Sequence, residues 1–265
     1  MAFDIETSFI RQSDADRLYR DFPRLEKGPD NFCPTCGGLG QYFWDGQNHR
    51  CNCSRQLQLH KHYLVAGIGV TYQRLSWEDY EGPREILEAM QKYLEGHANF
   101  VSRGIGLLIG GPYGAGKTML TTLLLKDLIK LGYKCFSTTF ANTVEAFTAG
   151  WKSSEDQKYF QDKFVNSDVL LLDDLGREFR SKNGLNETTF DNILRTRVQS
   201  GRPTFITTNM SLSELEEGYG GAVLSLLREV SLEYTFEEES IEDFRPKSQK
   251  RTLGELQRGE VRPIV

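Results

Sequence analysis

Residues 111–118 of this chain read Gly111-Pro112-Tyr113-Gly114-Ala115-Gly116-Lys117-Thr118, which fits the pattern G-x-x-x-x-G-K-[ST]. The apolar run Leu107–Ile109 precedes this stretch, and residues 119–131 follow it with the apolar spacing of a helix. In a strand, a glycine loop and a helix arranged in this order, backbone N–H groups turn toward phosphate oxygens at the positive end of the helix dipole. The stretch therefore predicts a nucleotide-binding loop. A chance glycine-rich turn is the alternative, and the length of the motif and its flanks argue against it.

Two side chains of this loop have predicted roles on a bound nucleotide, which we expect to be ATP. The ammonium of Lys117 would reach the β- and γ-phosphates, and the hydroxyl of Thr118 would ligate Mg²⁺. The residues expected to contact ATP are Gly111, Pro112, Tyr113, Gly114, Ala115, Gly116, Lys117, Thr118 and Met119.

A second motif consists of the aliphatic run Val169–Leu172 and the two acids that follow it, Asp173 and Asp174. An uninterrupted aliphatic run is typical of a central parallel strand that is buried on both faces. Its carboxyl end is where α/β sheets hold their ligands. We expect Asp173 to support Mg²⁺ and Asp174 to polarise the attacking water. Alone, such a run is more often an ordinary strand-to-turn boundary, and the phosphate loop upstream gives it weight.

A third motif is the predicted strand at residues 203–208, which Asn209 directly follows. A side-chain amide at this point would contact the γ-phosphate or the attacking water. The alternative is a turn residue or a cap for the helix that begins near Ser211.

The remaining pattern alternates strands with helices from residue 104 onward, which predicts an α/β fold with a parallel sheet covered by helices on both faces. The predicted strands are 106–110, 133–137, 168–173, 203–208 and 231–236. The predicted helices are 117–131, 140–150, 156–164, 187–199, 211–217 and 221–229. Ahead of them, helices are expected at 56–65 and 83–95, and a short hairpin strand with a turn at 40–46.

Four of the five cysteines form two close pairs with the spacing C-x2-C-x14-C-x-C. In a chain without an export signal, thiolate ligation of a metal is favoured over disulfides. Four thiolates complete tetrahedral Zn²⁺ and leave no open position, which indicates a structural site. The alternatives are unrelated thiols, or His49, His60 or His62 in place of one cysteine. The predicted zinc ligands are Cys33, Cys36, Cys51 and Cys53.

The composition narrows the classes of partner. The formal net charge of −5 does not attract nucleic acid to the chain as a whole, so any DNA contact must use local basic patches. The candidates are Lys126, Lys130 and Lys134, and Arg177, Arg180 and Lys182, although such groups are more often solvated faces. No stretch approaches the ~20 apolar residues of a membrane span, and the charged N-terminus is not a secretory signal. We therefore expect a cytoplasmic protein that makes no membrane contact.

The three motifs together resemble the AAA+ ATPases of the DnaC/IstB type, the bacterial and phage helicase loaders. The likeness lies in 111–118, in 170–176 (LLLDDLG) and in 203–209 (PTFITTN), and it extends over about residues 55–245. The segments 63–69 and 72–77 are similar to the part that leads into the ATPase core of these loaders. A cysteine-rich N-terminal module occurs in several replication members of the family and is unusual in its transposition branch.

The resemblance implies an AAA+ P-loop NTPase, preceded by a small zinc-binding module, with weak and DNA-stimulated ATPase activity. Its partners would be a hexameric DnaB-type replicative helicase, which it would load onto single-stranded DNA, and further copies of itself in an ATP-dependent oligomer. One alternative is an IstB-like transposition helper that remodels target duplex DNA. Another is a P-loop protein with a vestigial ATPase, whose zinc module only binds a partner.

The resemblance also implies an arginine that completes the site of a neighbouring subunit. The register of the family places Leu226 at the expected position, and Arg228 is the nearest basic residue. Arg228 is therefore the predicted arginine finger, with Arg197 and Arg245 as alternatives.

The expected organisation has four parts. Residues 1–65 form a zinc-binding and helicase-interaction module, 66–103 a linker with a lead-in helix, 104–244 the ATPase domain, and 245–265 a flexible basic tail.

Overall fold

The computed structural model describes residues 41–44, 47–50, 52–176, 184–236, 243–258 and 264–265. The described residues divide into two compact units. The smaller comprises 41–75 and 264–265, and the larger comprises those from 76 to 258.

The smaller unit begins with an antiparallel hairpin of β1 (Gln41–Trp44) and β2 (Gln47–Arg50). Helices α1 (Asn52–Val65) and α2 (Val70–Gln73) follow it. The Tyr63 hydroxyl, on a fully buried side chain, donates to the Val265 carbonyl at 2.8 Å. The hairpin strand and the helix over 56–65 are confirmed, and the helix starts earlier than predicted.

The larger unit contains a five-stranded parallel sheet in the order β4-β5-β6-β3-β7. Its strands are β3 (Gly106–Gly110), β4 (Cys135–Thr139), β5 (Val169–Leu175), β6 (Thr204–Thr208) and β7 (Ser231–Thr235). Its helices are α3 (Arg84–Glu95), α4 (His97–Ser102), α5 (Lys117–Lys130), α6 (Phe140–Ala149), α7 (Ser154–Phe160), α8 (Leu185–Gln199), α9 (Leu212–Tyr219), α10 (Gly221–Val230) and α11 (Arg245–Gln257). A 3-10 turn, Trp77–Asp79, precedes α3, and a π-helical turn, Gln161–Val165, continues α7.

The predicted alternation of strands and helices is confirmed. The central strands are buried, as their aliphatic sequences predict. All four residues of Val169–Leu172 are buried, as expected of a strand covered on both faces. The five residues of β6 are buried as well. The carboxyl ends of β3, β5 and β6 therefore lie side by side, which brings the three predicted motifs to one edge of the sheet.

The domain boundary differs from the predicted one. The larger unit begins at Ser76 rather than at residue 104. Helix α3 turns Ile86, Met90 and Tyr93 into the core, so the lead-in segment belongs to the unit instead of linking to it. Residues 97–102 add α4, a short helix that the sequence pattern did not predict.

The flexible tail is a further wrong prediction, because residues 245–257 form α11. Long-range contacts hold this polar helix. Arg251 pairs with Asp79 at 3.0 Å. The Phe244 amide, just ahead of the helix, donates to the Gly114 carbonyl at 3.3 Å. No helix among the described residues is long and apolar enough to cross a bilayer.

Candidate ATP-binding and hydrolysis site

The glycine loop connects the end of β3 to the start of α5. Gly114 and Gly116 have φ values of +78° and +90°, a region that residues with a Cβ rarely adopt. A Cβ on Gly116 would also lie 3.2 Å from the Tyr80 ring. The loop is therefore shaped for glycine at these two positions. Within the loop, Ala115 is fully buried, whereas Tyr113 is exposed.

The Lys117 ammonium lies within the loop, on a side chain that is 5% exposed. It donates to the carbonyls of Gly111 and Pro112, each at 2.7 Å, and to Asn209 Oδ1 at 2.8 Å. All three acceptors are neutral oxygens, and these hydrogen bonds compensate for part of the cost of removing the ammonium from water. The structure thus brings together the predicted lysine and the predicted sensor amide.

The other end of the Asn209 amide supports the expected nucleotide. Its Nδ2 atom is buried and has no hydrogen-bond partner among the described residues. Buried polar atoms are nearly always satisfied, so an orphaned donor needs an explanation. A phosphate oxygen or an attacking water would accept from this N–H. The residues present therefore fit an anionic ligand at the loop.

Thr118 and Asp173 meet at the Mg²⁺ position that the sequence predicts. The Thr118 hydroxyl donates to Asp173 Oδ1 at 2.9 Å and approaches Oδ2 at 3.1 Å. Hydroxyl and carboxylate oxygens are the ligands that Mg²⁺ prefers, with phosphates and waters completing the shell. The described residues contain no group of three or more His, Cys, Asp or Glu side chains placed to hold a metal.

The environment of Asp173 opposes its ionisation. Desolvation raises the pKa of this carboxyl, and hydrogen bonds from Thr207 and Thr118 partly counter the rise. A carboxylate held in such a place gains most from a cation beside it.

Asp174 has an unusual backbone. Among the described residues it is the one non-glycine residue with a positive φ, 56°. The register between β5 and β6 shifts between Leu172 and Leu175, so the two acids form a bulge. The Asp174 amide donates to the Thr207 hydroxyl at 3.0 Å instead of continuing the ladder. Thr207 was not predicted as part of the site, because it is one of three buried threonines in β6 and its sequence alone does not distinguish it from the other two.

The three arginine candidates have different surroundings. Arg197 is fully buried, which contradicts its use as a finger. Its guanidinium donates to the Thr204 hydroxyl at 3.0 Å, the Ser167 carbonyl at 2.9 Å and the Pro203 carbonyl at 2.7 Å. Arg228 is about half exposed and pairs with Glu233 at 3.4 Å. Arg228 as the finger stays a prediction, and the Arg245 side chain lies outside the described residues.

The prediction that the first basic patch contacts DNA is wrong for Lys126. Lys126 is 2% exposed, and desolvation lowers its pKa to about 8. Lys130 pairs with Asp127 at 2.9 Å. Residues 177–182, which carry the second patch, lie outside the described residues.

The zinc prediction falls almost wholly outside the described residues. Cys33, Cys36 and Cys51 lie there, and Cys53 is described for its backbone alone, in the first turn of α1. Of the alternative ligands, His60 has its Nδ1 engaged with Gln73 Oε1 at 2.5 Å. The zinc site therefore stays a prediction.

Residues 73–227, more than half of the chain, match the sequence model of the family described as "IstB-like ATP binding protein". The chain belongs to this family. The family assignment confirms the expected resemblance and the expected binding of ATP as a property of the family.

Two curated relatives are replicative helicase loaders. The chain is 24% identical over 180 residues to "Replicative helicase loader DnaC" of Escherichia coli (strain K12). The aligned region covers 66% of this chain and 71% of the relative. It is 24% identical over 155 residues to "Replicative helicase loader DnaI" of Bacillus subtilis (strain 168). This aligned region covers 57% of this chain and 48% of the relative.

Solved structures confirm the α/β fold with a parallel sheet covered by helices. The "Crystal structure of the DnaC helicase loader" superposes with a TM-score of 0.57 at 24% identity, over 64% of this chain and all of that one. Domain III of the Thermotoga maritima replication initiation protein DnaA gives a TM-score of 0.55 at 19% identity, over 73% of this chain and 77% of that one.

The pKa of Asp173 leads to a prediction about stability. Because its pKa is raised in the folded state, the cost of ionising Asp173 is absent below the pKa of the unfolded chain. It appears as the pH rises through the folded pKa. Asp173→Asn removes this cost. We expect nucleotide-free Asp173→Asn to melt at a higher temperature than the wild type at pH 8, with the gap narrowing toward pH 4, while Mg²⁺-supported ATP binding weakens at least tenfold.

Scanning calorimetry across pH and titration with a fluorescent ATP analogue measure the two effects. Glu145→Gln, an exposed carboxylate on α6, is the matched control and should change neither. A lower melting temperature for Asp173→Asn at pH 8 would show that its hydrogen bonds outweigh the desolvation cost.

Proposed function

We propose that this chain is an ATP-dependent loader of a hexameric DnaB-type replicative helicase onto single-stranded DNA. The observation that carries the proposal is the relationship to two replicative helicase loaders across the ATPase region. The site geometry supports the ATP dependence, because the lysine, the two acids and the sensor amide converge at one sheet edge. A vestigial ATPase would have no reason to keep this set together.

The proposed chemistry follows from the side chains of the site. Lys117 would hold the β- and γ-phosphates, and Asn209 Nδ2 would donate to a γ-phosphate oxygen or to the attacking water. Thr118 and Asp173 would hold Mg²⁺, which neutralises charge that develops on the phosphates. Asp174 would orient the water and accept its proton. Arg228 of one subunit would complete the site of the next in an ATP-dependent oligomer.

The same contacts suggest how ATP could control a partner. Lys117 Nζ holds Asn209 Oδ1 at 2.8 Å, and Asn209 lies just ahead of α9 and α10. Helix α10 carries Arg228. ATP binding at the lysine would therefore change the position of Asn209. That shift would reach α10, which we expect to face a neighbouring subunit.

A purified complex tests the loader proposal. We expect the chain to co-elute with the replicative helicase of its host, and ATP to alter the complex. Lys117→Ala should bind ATP at least tenfold more weakly and abolish the effect of ATP, because the phosphates lose their cation. Size-exclusion chromatography with light scattering measures the complex, and Lys130→Ala, on the exposed part of the same helix, is the control.

The family also contains IstB-like proteins, so the competing function is a transposition helper. Failure to form a complex in any nucleotide state, combined with ATP-dependent binding to duplex DNA, would replace the loader by that helper.

Loading a helicase onto single-stranded DNA requires a surface that binds this DNA. We propose that nucleobases stack on Trp151. Its side chain is 67% exposed just after α6, with Phe147 edge-on beneath it at 5.6 Å between ring centroids. The exposed Lys152 is its neighbour in sequence. Nucleobases stack on exposed aromatic rings with little sequence preference, and a nearby ammonium attracts the phosphates.

We therefore expect Trp151→Ala to weaken binding of a short oligothymidylate about tenfold, on the scale of one lost stacking contact. Trp151→Phe should retain most of the affinity. Leu131→Ala, another exposed apolar side chain, should leave it unchanged. Fluorescence anisotropy in the presence of ATP gives the affinities, and wild-type binding by Trp151→Ala would place the DNA elsewhere.

We also propose that Cys33, Cys36, Cys51 and Cys53 hold one structural Zn²⁺. The hairpin supports this grouping, because Gln41 pairs with Arg50 and so the chain enters and leaves it at the same end. One cysteine pair precedes that end in sequence and the other follows it.

Native mass spectrometry should find one zinc per chain. Cys36→Ser should lose the metal and lower the melting temperature, because structural zinc contributes directly to folding free energy. Cys135→Ser, which removes the remaining thiol, should keep the zinc. A metal-free wild type with an unchanged melting temperature in chelator would refute the site.

A further inference from the structure

Thr207 lies near the carboxyl end of β6, and its side chain is fully buried. Its hydroxyl contacts both acids of the site. It donates to Asp173 Oδ1 at 2.5 Å and accepts from the Asp174 amide at 3.0 Å. One hydroxyl thus joins the expected Mg²⁺ ligand to the residue expected to activate water.

The direction of these hydrogen bonds is fixed by the groups involved. A hydroxyl has one proton to donate and two lone pairs to accept with. The Asp174 N–H can only donate, so Thr207 must accept from it. Its single proton is then available for Asp173, whose oxygen accepts. The hydroxyl therefore has a defined orientation, and it orients the carboxylate in turn.

The Asp173 carboxylate is held by two hydroxyls, and they differ in their expected roles. Thr118 is a predicted Mg²⁺ ligand, so its contact with Asp173 belongs to the metal site itself. Thr207 lies on another strand and is not a predicted ligand. Its hydrogen bond is the contact that can hold the carboxylate in place whether or not Thr118 turns.

The backbone of Asp174 depends on the same hydroxyl. The register shift between Leu172 and Leu175 interrupts the ladder between β5 and β6 at this point. The positive φ of Asp174 is a conformation that a residue with a Cβ adopts at a cost, and it persists where the surroundings support it. The Thr207 hydroxyl satisfies the N–H that the bulge displaces.

We propose that Thr207 is a positioning residue for ATP hydrolysis, fixing the Asp173 carboxylate and the bulged Asp174 backbone with one hydroxyl. This inference rests on the proposed ATPase function. In the proposed mechanism Thr207 touches neither substrate nor metal, and it acts through the two acids.

The next residue provides a matched control. Thr208 is also buried in β6, and its hydroxyl also donates and accepts. It donates to the Leu175 carbonyl at 2.9 Å and accepts from the Met210 amide at 3.0 Å. Neither of these two hydrogen bonds involves an acid of the site. Removing the Thr208 hydroxyl therefore measures how much a buried hydroxyl in this strand contributes to stability when it does not position the acids.

The experiment compares Thr207→Val, Thr207→Ser and Thr208→Val with the wild type in the full-length protein. Titration with ATP in EDTA and in Mg²⁺ gives the gain in affinity that the metal provides. Steady-state hydrolysis gives kcat and KM, and calorimetry gives the melting temperature. Thr207→Ala is measured in parallel, so the comparison holds even if the valine variant does not fold.

We expect Thr207→Val to bind ATP in EDTA within twofold of the wild type. Its Mg²⁺-dependent gain should shrink at least fivefold, and its kcat should fall at least tenfold with a smaller change in KM. Thr207→Ser should stay within threefold of the wild type in both. Thr208→Val should keep the Mg²⁺ gain and kcat, whatever its melting temperature.

Two results would overturn the inference alone: wild-type kcat and Mg²⁺ dependence in Thr207→Val, or equal losses in Thr207→Val and Thr208→Val that follow their melting temperatures. A wild-type protein that binds no ATP would overturn the proposed function and this inference together.

Discussion

The Lys117 ammonium has to remain charged in a place that is almost closed to water. An uncompensated charge in such a position costs several kcal/mol, and three oxygens prevent that cost. Two belong to the loop and the third to Asn209, at the end of a different strand. The lysine therefore connects β3 to β6 at their carboxyl ends. The shape of the loop, the orientation of the sensor amide and its orphaned Nδ2 atom all depend on how this one cation is satisfied.

A second buried cation, Arg197, stabilises the opposite end of the sheet, at the starts of β5 and β6. Arg197 donates to carbonyl oxygens near the starts of β5 and β6, with Ser167 and Pro203 among its acceptors. At the carboxyl end, the pairing of these two strands is interrupted by the bulge at Asp173 and Asp174. The sheet is thus held firmly where no chemistry is expected and departs from regular pairing where the site lies. This division fits the general observation that strained backbone persists at functional sites supported by rigid surroundings.

The sequence predicts the parts of the site whose spacing is fixed by local structure. Lys117 and Thr118 lie in the first turn of α5, Asp173 lies near the carboxyl end of β5, and Asn209 directly follows β6. Parallel topology brings such ends together. Thr207 was not predicted, because a threonine in a β-branched strand looks like any other strand former. The burial of Arg197 depends on the packing of distant segments, and so its exclusion as a finger required the fold. Helix α11 has little apolar character, and the contact between Arg251 and Asp79 that holds it joins residues far apart in sequence.

The position of β3 in the sheet has a consequence for biosynthesis. This strand is the first of the five to leave the ribosome, yet it lies between β6 and β7, which leave last. Its apolar residues Leu107–Ile109 therefore remain without the two strands that pair with them while most of the domain is being translated. Non-local parallel pairing of this kind forms slowly and leaves hydrophobic surface open to aggregation. The nascent chain should need chaperone protection over this interval, and a truncated product that ends before β7 would leave β3 as an open edge.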